Sequence, residues 1–479
     1  IVGLHQFLMN DGSYAGATEI LYSDIEAAIA RYGPQVQCGE PSFADEHLTK
    51  LHHRSPVNMV RGGVGNCYGS NAKASFRSNS KSRVTKTVIC DAAESEGFKR
   101  RTFPPVMQGK EVYVNNLEPT LTQTFLADQS IIDECADAYA DKLIRELPKE
   151  DLAELCVLSD METANGIAGV RFIDKLNRNT SMGYPYHKSK RHFLEKVPAT
   201  EDQPDPYMYT DEVMDEVKKI ETTYSEGRRY MPVFTMCLKD EPVPQKKIDI
   251  KKTRGFSVGS AAFQFVERKY LLAFVRMFQL NPFITEGAPG MNCNSCSWRK
   301  LYKYLTKHGK NRIVAGDYAK FDKRMSPQFI IAAFRVIAKI LRHAGWEENL
   351  ITRVLCIGMD IAFPVTLIQG DFIELFGSNP SGHALTVIIN CIVNSLYMRY
   401  AWYTMMPKDI TLRDFDVYVA LITYGDDNAM GIALICDWFN HTAIQAALDA
   451  IGVVYTMADK DAESVPFLSI NQISFLKRR

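Results

Sequence analysis

The stretch from Val417 to Ala433 constrains this chain more than any other, because two apolar runs are joined there by Tyr424-Gly425-Asp426-Asp427. Apolar runs separated by a glycine-containing turn read as two antiparallel strands with the acids at their tip. Adjacent carboxylates on such a tip repel each other unless a cation neutralises them. Upstream, Arg312-Ile313-Val314-Ala315-Gly316-Asp317 reads as a buried strand that ends in a third acid. Mg²⁺ takes oxygen ligands, usually one or two carboxylates plus substrate phosphates. Acids from these two stretches would suit a pair of divalent ions about 3.5–4 Å apart, an arrangement that serves in-line displacement at phosphorus. Gly-Asp-Asp alone is also ordinary turn chemistry; Asp317 is what favours the metal reading.

The chain has 479 residues, 46% of them apolar and 23% charged, which predicts a globular protein with a core divided among two or three subdomains. Its formal net charge is zero, so any nucleic-acid surface must come from local concentration of Lys and Arg. Residues 61–90 carry Lys73, Arg77, Lys81, Arg83 and Lys86 with no acid between them, either a solvated loop or a basic lobe against RNA. Eleven scattered cysteines predict reduced thiols, Cys293 and Cys296 included, since no second pair follows at zinc spacing. No apolar run has the length of a membrane span. The start, Ile1-Val2-Gly3-Leu4-His5, has neither a signal-peptide pattern nor an initiator Met, which fits release from a longer polyprotein or simple trimming. A P-loop is missing, which leaves a helicase-type NTPase unsupported, and Cys38-Gly39 lacks the surroundings of a protease nucleophile.

Periodicity predicts an acidic surface helix pair over 133–162 and a helix over 327–343 opened by Ser326 and Pro327. A hairpin follows over 363–376 around Gly370-Asp371, then a long apolar helix over 382–403 after a Gly/Ser/Pro loop. An amphipathic helix over 437–451 is stopped by Gly452. This order suits an α+β layer, helices packed under an antiparallel sheet. Asp322 lies just beyond the Asp317 strand, and Ser381, Thr386 and Asn390 span a loop and the start of a helix. Acids, hydroxyls and amides of this kind supply the donors and acceptors that read a ribose 2′-hydroxyl. From Lys239 to Arg254 there are six basic residues in sixteen, stiffened by Pro242 and Pro244, an electropositive run suited to phosphate oxygens. Gly255-Phe256-Ser257-Val258 follows as a strand.

Asp317-x4-Asp322, then Ser381-Gly382-x3-Thr386-x3-Asn390, then Tyr424-Gly425-Asp426-Asp427 resemble motifs A, B and C of viral RNA-dependent RNA polymerases, with the spacing of the picornavirus-like group. The resemblance implies a right-hand fold and RNA-templated RNA synthesis with two Mg²⁺ or Mn²⁺ ions. It makes Asp317, Asp426 and Asp427 metal ligands, joined by the carbonyl of Tyr318, and makes Asp322, Ser381, Thr386 and Asn390 the ribose readers. Lys239, Lys247, Lys252 and Arg254 resemble motif F and are implied to meet the triphosphate. Asn179 to Tyr186 resembles motif G at the template, with Thr180 and Ser181 as contacts alongside Gly382. Tyr455 to Lys460 resembles motif D, with Lys460 as general acid; Ile473 to Arg478 resembles motif E, with Lys477 and Arg478 near the primer. The implied division is an N-terminal and fingers region over 1–178, fingers over 179–270, palm over 271–322, a fingers insertion over 323–378, and palm again over 379–479. The chain stops after motif E, where a thumb is expected, so poor extension of RNA is expected of these residues alone. Implied partners are template and primer RNA, NTPs, a genome-linked protein primer and other viral replication proteins at host membranes, in the host cell cytoplasm. A reverse transcriptase, which carries a bulky residue where Asp322 stands, and a catalytically dead RNA-binding relative are the alternatives.

Overall fold

The computed structural model describes residues 37–38, 41–60, 63, 65–71, 81–122, 127–201, 203–459 and 462–478, with no side-chain detail at 37–38. Lys460, Lys73, Arg77 and the side chain of Cys38 therefore lie outside the described residues.

Two sheets organise the chain. The first has six strands in the order Leu48–Thr49, Gly65–Asn71, Asp371–Leu375, Val365–Ile368, Val233–Leu238, Gly255–Val258. The second has four antiparallel strands, Val419–Tyr424, Asp427–Ile432, Ile313–Tyr318 and Tyr455–Met457. Side chains alternate across each strand of the second sheet, and the alternation divides them between two cores. Val314, Tyr318, Leu421, Met430 and Ile432 enter the large core, while Ile313, Ala315, Ile422 and Ala429 enter a smaller one with Leu301, Leu305 and Phe475. The sheet is thus covered on both faces, which explains why its strands read as nearly continuous apolar runs.

The Thr386–Met405 helix runs through the large core and is buried on all sides along most of its length, from Ile388 to Trp402, as a helix apolar all round must be. It begins at Thr386, four residues later than the predicted 382, and the Ala384 and Leu385 amides just before it donate to the Glu267 carboxylate. The Pro327–His343 helix appears as predicted, with the Ser326 hydroxyl accepting from Gln328 N–H. The predicted hairpin is Val365–Ile368 with Asp371–Leu375, and the amphipathic helix shortens to His441–Asp449 behind an Asn440 cap. The acidic pair over 133–162 is instead one long helix, Gln129–Glu146, with two short ones, Lys149–Ala153 and Asp160–Asn165. The long helix lies at the surface with its apolar side inward: Ile132, Cys135, Tyr139 and Leu143 are buried, while the Asp137 and Asp141 side chains stay 40% and 43% exposed. Its acids answer cations on the 327–343 helix, Asp133 and Asp137 facing Arg335 and Asp141 lying 2.7 Å from Lys339. Among the described residues no helix is long and apolar enough to cross a membrane.

Candidate active site

The acidic turn is built as its residues require. Tyr424 pairs with Asp427, leaving Gly425 and Asp426 as a two-residue loop. Gly425 has φ +63°, the positive angle that a type II′ turn demands at its first central position. Asn428 pairs with Gly316 across the neighbouring strand, so continuing that register sets Asp427 opposite Asp317. By strand parity both project to the same face as Ala315 and Ala429. Three acids from two distant stretches therefore meet at one end of the sheet.

Beneath them, on the other face, lies a buried polar network that sequence reasoning missed. Asn394, on the 386–405 helix, donates to the Gly425 carbonyl at 2.9 Å. Its own oxygen accepts from Tyr318 Oη and Asn428 Nδ2, both at 2.9 Å, and Tyr455 Oη donates to Asn428 Oδ1 at 2.7 Å. Asn394 is fully buried. The strand into the turn is pinned as well, since Thr423 N–H donates to the Glu286 carbonyl at 2.7 Å. The Glu286 side chain is held by Lys142 at 2.6 Å and Arg399 at 2.7 Å. Burial alone would raise the Glu286 carboxyl, but these two cations keep it down at about 2. The network fixes the turn from the protein side and leaves its carboxylates to the open side.

Burial first, then the charges of Asp317, Asp322 and Asp427, push the Asp426 carboxyl up to about 6. Bringing these acids together thus costs energy, which a divalent cation would offset. Asp317 Oδ1 accepts its neighbour's amide, Tyr318 N–H, at 2.7 Å. Among the described residues no three His, Cys, Asp or Glu side chains are grouped so as to hold a metal ion by themselves. The hard carboxylate oxygens of Asp317, Asp426 and Asp427 are the ligand type that Mg²⁺ takes, one or two at a time, with water and substrate phosphates completing its shell.

Asn390 Nδ2 donates to Asp322 Oδ1 at 2.6 Å, joining two of the four predicted ribose readers. Burial raises the Asp322 carboxyl, opposed by that hydrogen bond and by Arg254, Lys239 and Lys323. The other two predicted readers also bond nearby backbone. Ser381 Oγ accepts from Ser257 N–H at 3.1 Å, and Thr386 Oγ1 donates to the Pro380 and His383 carbonyls. Gly382 is crowded for a structural reason, since a Cβ there would sit 2.0 Å from the Ser257 carbonyl oxygen.

Lys239 and Arg254 close the end of the pairing between Val233–Leu238 and Gly255–Val258, with Lys239 N–H donating to the Arg254 carbonyl at 2.8 Å. Both act electrostatically on Asp322, and Lys252 acts on Lys320 and Lys323. The Lys247 carbonyl accepts from Lys252 N–H at 2.8 Å. Lys320 and Lys323 extend the basic cluster and were not predicted; burial and Lys320 bring the Lys323 ammonium down to about 8. Thr180 and Ser181 are exposed on the neighbouring loop, and Met182 accepts from Ala261 N–H at 2.8 Å. Lys477 and Arg478 are exposed at a tight turn whose central residues, Leu476 and Lys477, both have positive φ. Phe475 anchors this turn in the smaller core. The ten cysteines with described side chains are free thiols, Cys293 and Cys296 among them.

The family model described as viral RNA-dependent RNA polymerase matches residues 118–479. The replicase polyprotein of cricket paralysis virus is 33% identical over 337 residues, covering 66% of this chain and 19% of that protein. The RNA1 polyprotein of cowpea mosaic virus is 27% identical over 341 residues, covering 66% and 17%. The chain thus spans about a fifth of the length of these curated relatives. Among solved structures, the Sicinivirus 3Dpol RNA-dependent RNA polymerase superposes with a TM-score of 0.67 at 19% identity, over 83% of this chain and 78% of its own. That likeness carries the fold, a mixed helix-and-sheet right-hand polymerase. With its acids gathered at one end of the sheet and three-quarters of its length matched, the chain belongs to the viral RNA-dependent RNA polymerase family.

Proposed function

We propose that the chain copies an RNA template by adding nucleoside monophosphates from NTPs to an RNA primer 3′-hydroxyl. The observation that carries this reading is the register that sets Asp317 across from Asp427 with Asp426 in the turn between strands. Asp317, Asp426 and Asp427, with the Tyr318 carbonyl, would hold two Mg²⁺ or Mn²⁺ ions. Bound there, such ions activate the attacking hydroxyl and neutralise charge on the leaving pyrophosphate.

The remaining work falls to the chain's own residues. The Asp322–Asn390 pair reads the 2′-hydroxyl together with Ser381 and Thr386 at the neighbouring loop. A site built to bond a hydroxyl rejects the deoxy analogue because its buried polar groups are left unpaired. Lys239, Lys247, Lys252 and Arg254 hold the triphosphate, and Lys460 gives a proton to the departing pyrophosphate. Thr180, Ser181 and Gly382 line the template path, while Lys477 and Arg478 steady the primer. Residues 271–322 and 379–479 serve as palm and the rest as fingers. The reading extends to a genome-linked protein primer and to other replication proteins at membranes in the host cell cytoplasm.

Primer extension on a defined RNA template tests it. Extension with NTPs that requires a divalent metal and discriminates strongly against dNTPs is the expected result. Equal use of dNTPs, or extension in excess chelator, would overturn the assignment.

A further inference from the structure

Behind the Asp322–Asn390 pair, a line of buried polar side chains runs to Glu267 on the Ala261–Leu280 helix. Asn390 Nδ2 donates to Asp322 Oδ1 at 2.6 Å, and Asn390 Oδ1 accepts from Asn379 Nδ2 at 2.7 Å. The same Asn379 amide group reaches the Thr386 carbonyl at 3.1 Å. A carboxylate at one end and a carbonyl at this point only accept, so the orientation of both amides is fixed. Asn379 Oδ1 must then accept, and its partner is His383 Nε2 at 2.9 Å. The other ring nitrogen, His383 Nδ1, lies 2.6 Å from Glu267 Oε1. Since Nε2 already donates, the Glu267–His383 contact must hold a proton of its own. Glu267 also accepts the amides of Ala384 and Leu385, at 2.7 and 3.3 Å, and so fixes the loop that carries His383. Glu267 is 0%, Asn379 2%, Asn390 6% and His383 8% exposed, so water competes little for any of these bonds.

We infer that Glu267, His383 and Asn379 form a one-way hydrogen-bond relay that orients the Asn390 amide, and through it Asp322, for reading the sugar of the incoming nucleotide. The relay rests on the ribose role proposed for that pair. It makes Glu267 and His383 positioning residues: neither touches the nucleotide, and the relay does not use Asp322 Oδ2. Reversal of any link turns the Asn390 oxygen toward the Asp322 carboxylate, and the pair no longer holds together. A buried network of this kind acts as a unit, so removing one link weakens those beyond it.

The test is single-nucleotide addition of UTP and dUTP on a primed RNA template, comparing kcat/KM for the two, with thermal melting as a check on folding. His383→Phe keeps the ring volume and removes both nitrogens. Asn379→Asp keeps the shape and removes the donor that faces Asn390. Each is expected to lower the UTP-over-dUTP ratio about five- to tenfold, the worth of one hydrogen bond. Glu267→Gln can still donate toward His383 Nδ1 and accept a loop amide, and is expected to keep the ratio within about twofold. His383→Phe combined with Asn390→Ala should be no less selective than Asn390→Ala alone, because the relay acts only through Asn390. Folded His383→Phe and Asn379→Asp proteins with the wild-type ratio, beside an Asn390→Ala protein that loses it, would overturn the relay alone. Wild-type ratios in Asp322→Ala and Asn390→Ala would overturn the ribose reading, and the relay with it.

Discussion

Asp426→Asn should make the metal-free protein more stable near neutral pH while abolishing nucleotide addition. The Asp426 carboxyl is pushed up to about 6 by burial and by Asp317, Asp322 and Asp427. That is about two units above an ordinary aspartate, worth about 3 kcal/mol if no solvent screened it. The residue as a whole stays in contact with solvent at the tip of the turn even though its carboxyl is crowded by neighbours, and screening there brings the figure to about 1–2 kcal/mol. The folded state holds the proton more tightly than the unfolded state. The strain is therefore absent below about pH 4, grows between about pH 4 and 6, and is complete above. Asn keeps the shape without the charge and removes the strain. Urea unfolding in chelator should show the variant more stable by about 1–2 kcal/mol near neutral pH and equal to wild type at about pH 4. Millimolar Mg²⁺ should reverse the order, since only wild type gains from an ion bound to the folded state. A variant less stable than wild type in chelator, by the same amount at both pH values, would refute the reasoning.

Asn394→Ala leaves the Gly425 carbonyl, Tyr318 Oη and Asn428 Nδ2 without this partner; thermal or urea unfolding should show a loss of about 2–4 kcal/mol. Arg254→Ala and Lys252→Ala should raise KM for NTPs about tenfold in steady-state addition assays with a smaller effect on kcat, as expected where a charge-assisted phosphate contact is lost. Lys460→Leu should lower kcat by about a hundredfold with little change in NTP affinity, the range of general-acid catalysis, as read by pre-steady-state addition. Gly382→Ala should impair folding or addition outright, because its Cβ would lie 2.0 Å from the Ser257 oxygen; melting and primer extension would show it.

What could be read in the sequence was local. The acids sit at a turn between apolar runs, a pattern that periodicity and turn chemistry make visible, and both strands and the turn stand where that pattern puts them. The Pro327–His343 helix was equally legible from its cap. Contacts between distant positions were not legible. Asn394 and Glu267 lie within helices and have no period or neighbour that marks them, yet one grips the acidic turn and the other the loop before the 386–405 helix. The backbone bonds made by the Ser381 and Thr386 hydroxyls were equally invisible in the motif spacing. The acids of the 129–146 helix pair with Arg335 and Lys339, which lie on a helix far along the chain and which no local pattern marks as partners.

The central claim is that Asp317, Asp426 and Asp427 share a pair of divalent ions. Anomalous scattering from Mn²⁺ in crystals of the protein with primed RNA template and a non-hydrolysable NTP measures this directly. Two Mn²⁺ ions about 3.5–4 Å apart, touching carboxylate oxygens of Asp317 and Asp426, are predicted. Mn²⁺ bound elsewhere with none at the 425–427 turn, in a complex whose NTP is seated beside Asp322, would contradict it.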